Sequence, residues 1–264
     1  MDLKFLEETP PWEWPEDAGR LLYDILSDDR SDVTDRILAA ELAGDVTVID
    51  DKLADAMLLI VENAKEPEEL REKAAIALGP VLDLADMEEF DDPEAVPISE
   101  AAFRKIQKTF QKLCRDAAVP KNIRRRILEA SVRAPQDWHQ DAIRAAYASE
   151  DDDWRLTAVF AMRWVSGFKQ QILESLESGD PDIQYEAVCA AGNWELDAAW
   201  PHVDDDALVK DEMDIMVQVN GKLRGQIEVD KDAEQSAIIA EAKTEERVAK
   251  HLEGKELVKE IYVP

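Results

Sequence analysis

The chain has 264 residues, of which 45% are hydrophobic and 34% charged, and a formal net charge of −29 at pH 7. This length suits one large domain or two of ordinary size, and no stretch reaches the roughly 18 apolar residues of a membrane span. The acidic start predicts no export signal, and two isolated cysteines favour a reducing cytoplasm over a disulfide framework.

Near the start, residues 10–15 read "PPWEWP" and predict a polyproline-like segment that carries Trp12 and Trp14. It suits a ligand for a proline-recognition module. We favour a strap that folds both indoles over the first helices and closes the apolar end of the helical body.

Most of residues 20–200 place apolar side chains at helical spacing. Five similar segments begin with an apolar residue, at Val33, Leu70, Ile123, Trp154 and Ile183. They end at helix breakers, namely Gly44, Gly79-Pro80, Pro135, Gly167 and Gly192. Ser31 is predicted to cap the first segment, and Asp180 to cap the fifth with Pro181 at the first helical position.

Second helices are predicted between these segments, at residues 51–64, 99–117, 137–149 and 168–178. The second unit also contains an acidic loop at residues 83–97. A single helix pair cannot bury its apolar stripe, so neighbouring pairs must stack. An ordinary four-helix bundle is the alternative, and the recurring breakers argue against it.

Segments such as "REKAAIALG" resemble the first helices of short HEAT-like repeats, over roughly residues 20–200. The resemblance implies a mainly α fold, an α-solenoid of helix pairs, for residues 1–205. Solenoids of this kind serve many roles, so the resemblance is specific for architecture rather than function. Some short HEAT-like proteins resemble bilin lyases, which keeps a lyase-like enzyme open as an alternative.

A basic stretch interrupts the acidic body between Arg104 and Arg133, and it contains ten basic residues and only two acidic ones. The candidates for a docking patch are Arg104, Lys108, Lys112, Arg115, Arg124, Arg125 and Arg126. Acidic side chains of adjoining repeats would neutralise such residues. Alternatively they form a docking patch for an acidic protein segment or a phosphate backbone, and the acidic surroundings favour the peptide.

Residues suited to enzyme chemistry are sparse. His139, His202 and His251 lie far apart and show no metal-ligand spacing with the cysteines. The acidic runs 151–153 and 204–206 are explained as solvated helix caps. We therefore expect no catalytic residues, no metal and no cofactor.

The tail opens with "VQVNGKLRGQIEV" at residues 217–229, in which odd positions are apolar and even ones polar, as in a half-buried strand pair. Asn220-Gly221 is the turn. Pairing Val219 with Lys222 would place apolar and charged side chains on the same face of the sheet. We therefore predict an odd-length loop, or a bulge after the turn, that pairs Val219 with Leu223.

Two helices, at residues 230–244 with Asp232 as cap and at 245–254, and a strand at 255–263 complete the tail. The order β-β-α-α-β makes a small α+β domain over residues 215–264, joined to the body by an acidic linker at 206–214.

The pieces "VQVNGKLRG", "AKHLEGK" and "KEIYVP" together resemble the C-terminal domain of bacterial leucyl-tRNA synthetase. That domain touches the elbow and variable arm of its tRNA. The resemblance implies RNA contacts from the hairpin and the last helix and strand, with candidates Asn220, Lys222, Arg224, Lys250, Lys255 and Lys259. A final strand follows the proline in the family, so a bare sheet edge is expected here.

The synthetase's catalytic signatures, His-Ile-Gly-His-like and Lys-Met-Ser-Lys-Ser-like, are not found, so the sequence predicts a non-enzyme. The expected function is a cytoplasmic, protein-binding scaffold with a tRNA-binding tail and no small-molecule substrate. The alternatives are a tRNA-associated factor or synthetase fragment that acts through the tail, and the lyase-like protein. Natural fusion and joining by rearrangement both stay open.

Overall fold

The computed structural model of the protein describes residues 2–88, 90, 95–196, 212–220, 222–230, 233–253, 257 and 259–261. Two compact units divide the chain, Met1–Trp200 and Pro201–Pro264. Over the described residues, no helix combines the length and apolar character needed to cross a membrane.

The N-terminal unit is helical throughout its described part. Its helices are α1 Leu3–Glu8, α2 Ala18–Ser27, α3 Val33–Leu42, α4 Asp51–Glu62, α5 Glu68–Ala77, α6 Gly79–Glu88, α7 Glu100–Arg115, α8 Lys121–Ser131, α9 Asp137–Tyr147, α10 Asp152–Ala161, α11 Lys169–Leu176 and α12 Pro181–Asn193, with a 3-10 turn at Pro11–Glu13. The five predicted first helices correspond to α3, α5, α8, α10 and α12, and the four predicted second helices to α4, α7, α9 and α11.

The first helices pack on one another in chain order, α3 on α5, α5 on α8, α8 on α10 and α10 on α12. Each also packs against a helix that precedes it in sequence, as α5 does on α4 and α8 on α7. Small side chains permit this close approach, because Ala39, Ala74, Ala75 and Ala187 are completely buried. The N-terminal unit is therefore a succession of helix pairs whose contacts are mainly between neighbours.

One predicted helix cap and one predicted loop differ in the structure. Asp32, not Ser31, caps α3, because its Oδ1 accepts from the Thr34 amide at 2.8 Å. Helix α5 ends at Ala77, beside the predicted breaker Gly79-Pro80, but a new helix, α6, starts at Gly79 and runs through residues 83–88 of the predicted acidic loop. For the fifth predicted segment the cap is confirmed: Asp180 Oδ1 accepts from the amides of Asp182 and Ile183.

Helix α1, which the sequence did not reveal, anchors only part of the predicted strap. Trp14 Nε1 donates to the carbonyls of Leu6 at 3.0 Å and Thr9 at 2.8 Å, and its ring packs on the core. Trp12 is 79% exposed, so only one of the two indoles lies over the helices.

The described part of the C-terminal unit contains a two-stranded antiparallel sheet, β1 Glu212–Val219 and β2 Lys222–Asp230. Val219 pairs with Lys222 across a two-residue turn, so the predicted Val219–Leu223 pair is wrong. The predicted bulge is present two residues later: Gln218 pairs with Leu223 and Val217 with Gly225, which leaves Arg224, not Lys222, as the extra residue.

The bulge restores the apolar face, because Ile215 then pairs with Ile227 and both pack in a small core with Val229. Helices α13 Gln235–Thr244 and α14 Glu246–Leu252 follow, and Ile238 packs with Ile227 and Val229 in a small core.

The predictions for the cap of α13 and for the third strand are not confirmed. Asp232, the predicted cap, lies outside the described residues, and Glu234 is at the N-cap position of α13. The predicted third strand is largely outside them as well, and neither Leu257 nor residues 259–261 are in a strand.

Candidate nucleic-acid interface and docking patch

The tip of the β1–β2 hairpin presents two of the predicted RNA-contacting side chains. Asn220 lies in the turn with a φ of 52°, a left-handed conformation that asparagine tolerates better than most residues. Lys222 follows it, is exposed, and forms no ion pair within the described part of the chain. A flexible cation beside an amide at an exposed turn is suited to contacting a phosphate backbone.

Arg224 is placed differently, because it is the extra residue of the bulge. It is partly buried, and its Nε is buried without a hydrogen-bond partner among the described atoms. The neighbouring Gly225 lies against α14, where an added Cβ would be 2.6 Å from Glu245 Oε2. Because of the bulge, part of the Arg224 side chain is buried in the hairpin and part remains at its surface.

The remaining candidates lie on the following elements. Lys250 is exposed in the last turn of α14, which packs on both strands. Lys259 is exposed, and the adjacent Glu260 pairs with Lys243 of α13. Lys255 lies outside the described residues. Asn220 and Lys222 are thus the candidates that the fold places together at one exposed position.

In the N-terminal unit, acidic neighbours neutralise part of the predicted docking patch. Arg104 pairs with Glu100 one turn away, and Arg126 pairs with Glu129 at 2.6 Å. Arg125 is buried, donates to Thr157 Oγ1 at 3.0 Å, and lies 3.1 Å from Asp153 Oδ1. These three arginines stabilise contacts within the unit, and Arg125 cannot face a partner.

The other four candidates form no ion pair with a carboxylate over the described residues. Lys108, Lys112 and Arg115 are exposed on α7. Arg115 and Arg124 lie over indole rings instead. Arg115 Cζ is 5.9 Å from the ring centroid of Trp138, and Arg124 Cζ is 5.4 Å from that of Trp154.

These two arginine–tryptophan pairs border an open groove of about 400 Å³ between α7, α8, α9 and the start of α10. The sequence alone did not predict this groove. Trp138 and Trp154 belong to different helices, and only their packing brings them to one surface. A signal was present in the sequence, since each tryptophan lies in the first turn of a helix.

Cys114 and His139 of the N-terminal unit both have structural roles. Burial raises the pKa of the Cys114 thiol to about 11. Its Sγ is 3.9 Å from the carbonyl oxygen of Arg124, as a weak donor. His139 is fully buried, accepts from the Gln136 amide at Nδ1, and lies 3.0 Å from Ser131 Oγ through Nε2. Burial lowers the pKa of His139 to about 4, so the ring is neutral near pH 7.

The acidic run at residues 151–153 caps α10 through Asp151, and both Asp151 and Asp153 accept from Lys121 Nζ at 2.8 Å. These hydrogen bonds lower the pKa of both carboxyls. The second run, 204–206, and His202 lie outside the described residues. In the part of the chain that is described, no three His, Cys, Asp or Glu side chains are grouped so as to hold a metal.

Comparison with known proteins gives one consistent result. The chain is 61% identical over 69 residues to the leucine–tRNA ligase of Hydrogenovibrio crunogenus, which is 26% of this chain and 8% of that protein. It is 51% identical over 67 residues to that of Deinococcus radiodurans, or 25% of this chain and 8% of the relative. No family model matches the chain.

A longer alignment, to the leucine–tRNA ligase of Vibrio vulnificus, is 35% identical over 170 residues, which is 62% of this chain and 18% of the relative. It is longer than the unit Pro201–Pro264 and therefore includes part of the helical unit. The chain spans only 8% to 18% of the length of these relatives.

Proposed function

We propose that this chain is a tRNA-associated protein related to leucyl-tRNA synthetase, and that its C-terminal unit contacts tRNA. The observation that carries this proposal is the 61% identity over 69 residues to a leucine–tRNA ligase. Similarity at that level over so short a stretch argues for one retained module rather than a shared composition.

The surface of the hairpin supports the same proposal. Asn220 and Lys222 are exposed at its tip, and Lys222 has no carboxylate partner over the described residues. Contacts from one or two lysines to phosphates give binding that weakens with salt and carries little sequence information. The net charge of −29 opposes long-range attraction, so we expect binding to be weak and confined to low ionic strength.

We propose further that the chain does not itself charge tRNA. The sequence contains neither of the two nucleotide-binding signatures of the synthetase class, and the chain matches a small share of each relative. Binding without turnover is the activity that this combination supports.

The test is fluorescence anisotropy of labelled leucine tRNA with the full chain, measured over a range of salt concentrations. Lys222→Glu combined with Lys259→Glu is expected to weaken binding at least tenfold. It should also reduce the slope of log affinity against log salt by about one for each phosphate that the variant no longer neutralises. Arg224 is left unchanged because its Nε is buried in the bulge.

The matched control is the replacement of exposed lysines of the helical unit, Lys65→Glu with Lys169→Glu, which changes the net charge equally. If the control pair weakens binding as much as the hairpin pair, general electrostatics explain the interaction. If the unmodified chain does not bind tRNA at low salt, the proposal is wrong.

A second proposal concerns the N-terminal unit, which we infer to be a HEAT-like α-solenoid that serves as a protein-binding scaffold. It is favoured by one recurring contact. Arg36 in α3 donates to the carbonyl of Leu26 near the end of α2, and Arg71 in α5 donates to that of Val61 near the end of α4. In both, an arginine of a first helix satisfies a free carbonyl at the end of the preceding helix, where positive charge is also favoured.

Native-state hydrogen exchange tests the repeat architecture. In a stack whose repeats contact only their neighbours, the terminal pairs open at lower free energy than the central ones. Amides of α11 and α12 should therefore exchange before those of α5 and α8. Uniform protection over the unit would instead favour a single cooperative bundle.

A further inference from the structure

The groove between α7, α8, α9 and α10 combines an apolar floor with a basic rim. Its floor includes Leu128, Ala146 and the ring of Trp138, which are at least nine-tenths buried, with Ala142 and Trp154 partly buried beside them. A volume of about 400 Å³ accommodates one or two large side chains but not a folded domain.

The rim of the groove carries two arginines. Arg115 and Arg124 lie over Trp138 and Trp154 and form no ion pair within the described residues. Arg124 Nε is buried and lacks a hydrogen-bond partner there. A buried donor without an acceptor is unfavourable, which favours a ligand that brings acceptors to this rim. Asp141 also lines the groove, and its carboxylate is 3.1 Å from Arg144.

The groove is bordered by positive charge, which is unusual in this acidic protein. Lys108 and Lys112 extend the basic rim along α7, and neither forms an ion pair over the described residues. Other cations of the same stretch are neutralised, as Lys105 is by Asp55 and Lys121 by Asp151. A small positive surface is thereby left on a chain with a net charge of −29.

We propose that this groove binds a short acidic peptide segment that inserts one large apolar side chain against Trp138 and Trp154. Its carboxylates would accept from the guanidinium groups of Arg115 and Arg124, a pairing that can be bidentate. The surrounding negative charge repels a polynucleotide, whereas a short peptide stays within the basic rim. The inference rests on the scaffold proposal for the helical unit and is independent of tRNA binding.

The experiment is fluorescence anisotropy of the full chain with three labelled synthetic peptides of equal length. One has a central phenylalanine flanked by glutamates, one has glycine in place of the phenylalanine, and one has lysines in place of the glutamates. The first peptide should bind at least tenfold more tightly than either other peptide, and its affinity should fall with added salt.

Two variants test the location. Arg115→Glu reverses an exposed charge of the rim, and Ala145→Trp fills the groove from an exposed position on α9. Each should weaken binding of the first peptide at least tenfold. The matched controls are Arg104→Glu and Ala101→Trp, also at exposed positions but outside the lining of the groove, and they should change affinity less than twofold.

Several outcomes overturn the proposal: no binding of the glutamate–phenylalanine peptide, equal binding of all three peptides, or equal effects of groove and control variants. Stronger binding of a single-stranded oligonucleotide that Arg115→Glu abolishes would assign the groove to phosphate instead. Graded hydrogen exchange with no peptide binding would leave the scaffold proposal standing and reject the groove.

Discussion

Arg36 and Glu66 form a bidentate salt bridge, with Nη1–Oε2 at 2.7 Å and Nη2–Oε1 at 2.9 Å, although their side chains are only 5% and 10% exposed. The pair links α3 to the turn before α5. The hydrogen bond to Glu66 raises the pKa of Arg36, so the guanidinium remains charged.

Removing one member of this pair should destabilise the helical unit. Glu66→Gln leaves the buried guanidinium with only the exposed Asp29 carboxylate, 3.9 Å away, and breaking a buried ion pair typically costs about 3–5 kcal/mol. The double variant Arg36→Met, Glu66→Leu should cost distinctly less, because no charge then stays buried. Urea denaturation followed by tryptophan fluorescence measures both. The exposed Glu69→Gln is the control, and an equal loss in it would contradict a specific role for the pair.

Burial of His139 predicts a pH dependence of stability. Its pKa in the folded chain is about 4, below the usual 6.5, so the unfolded chain takes up the proton first as the pH falls. Stability from this group is complete above about pH 6.5 and is lost between there and about pH 4, by about 3 kcal/mol.

The measurement for His139 is the free energy of unfolding from pH 7 to 4 in the native chain and in His139→Gln. Carboxylates titrate in both proteins, so the difference between the two curves reports the histidine. Parallel curves would show that His139 titrates normally in the folded chain.

Two glycines should respond oppositely to the same substitution. A Cβ at Gly44 would lie 2.4 Å from the carbonyl oxygen of Ala77, a backbone atom that cannot move alone. Gly44→Ala should therefore cost about 1–3 kcal/mol or more. Gly192, near the end of α12, has no atom within 4 Å of an added Cβ. Gly192→Ala should stabilise by up to about 1 kcal/mol through helix propensity.

Thermal unfolding of the two alanine variants provides the comparison. The expected result is a lower midpoint for Gly44→Ala and an unchanged or higher one for Gly192→Ala. Destabilisation by both would indicate that backbone freedom, not the close approach of the two chain segments, makes Gly44 necessary.

The bulge of the hairpin gives a prediction for the C-terminal unit. An added Cβ at Gly225 would contact Glu245 Oε2 at 2.6 Å and a methyl carbon of Val248 at 2.9 Å. Glu245 is not free to move, because the same Oε2 accepts from the Val248 amide at 2.8 Å and caps α14. Gly225→Ala should destabilise the packing of the hairpin on α14 by about 1–3 kcal/mol.

Hydrogen exchange of peptides from the C-terminal unit of the full chain is the appropriate measurement, since it reports each unit separately. Faster exchange is expected in β2 and α14 and not in α3 or α5. The exposed neighbour Gln226→Ala serves as control, and an equal effect there would place the cause outside the packing against α14.

The local pattern of the sequence predicted most of the fold. The helices α3 to α5 and α7 to α12, and the two strands with their turn and bulge, follow from apolar periodicity and helix-breaking residues over short stretches. These signals depend only on residues a few positions apart. The cap misassigned to Ser31 falls at the end of an element, where such signals are weakest. Helix α6 was missed because Gly79-Pro80 predicts a break, although proline is tolerated in the first turn of a helix.

Only the tertiary structure determined which side chains are available to a partner. Arg104 and Arg126 pair with glutamates of their own helices, Glu100 and Glu129. Packing between helices decides the other two: it brings Asp153 to Arg125 and leaves Arg115 on an open groove. The carboxylate that neutralises an arginine, or the indole that stacks on it, often comes from a segment some thirty residues away, as Glu66 does for Arg36. Helix periodicity states which face of a helix is buried, but not which helix covers it, because that choice depends on packing between distant segments.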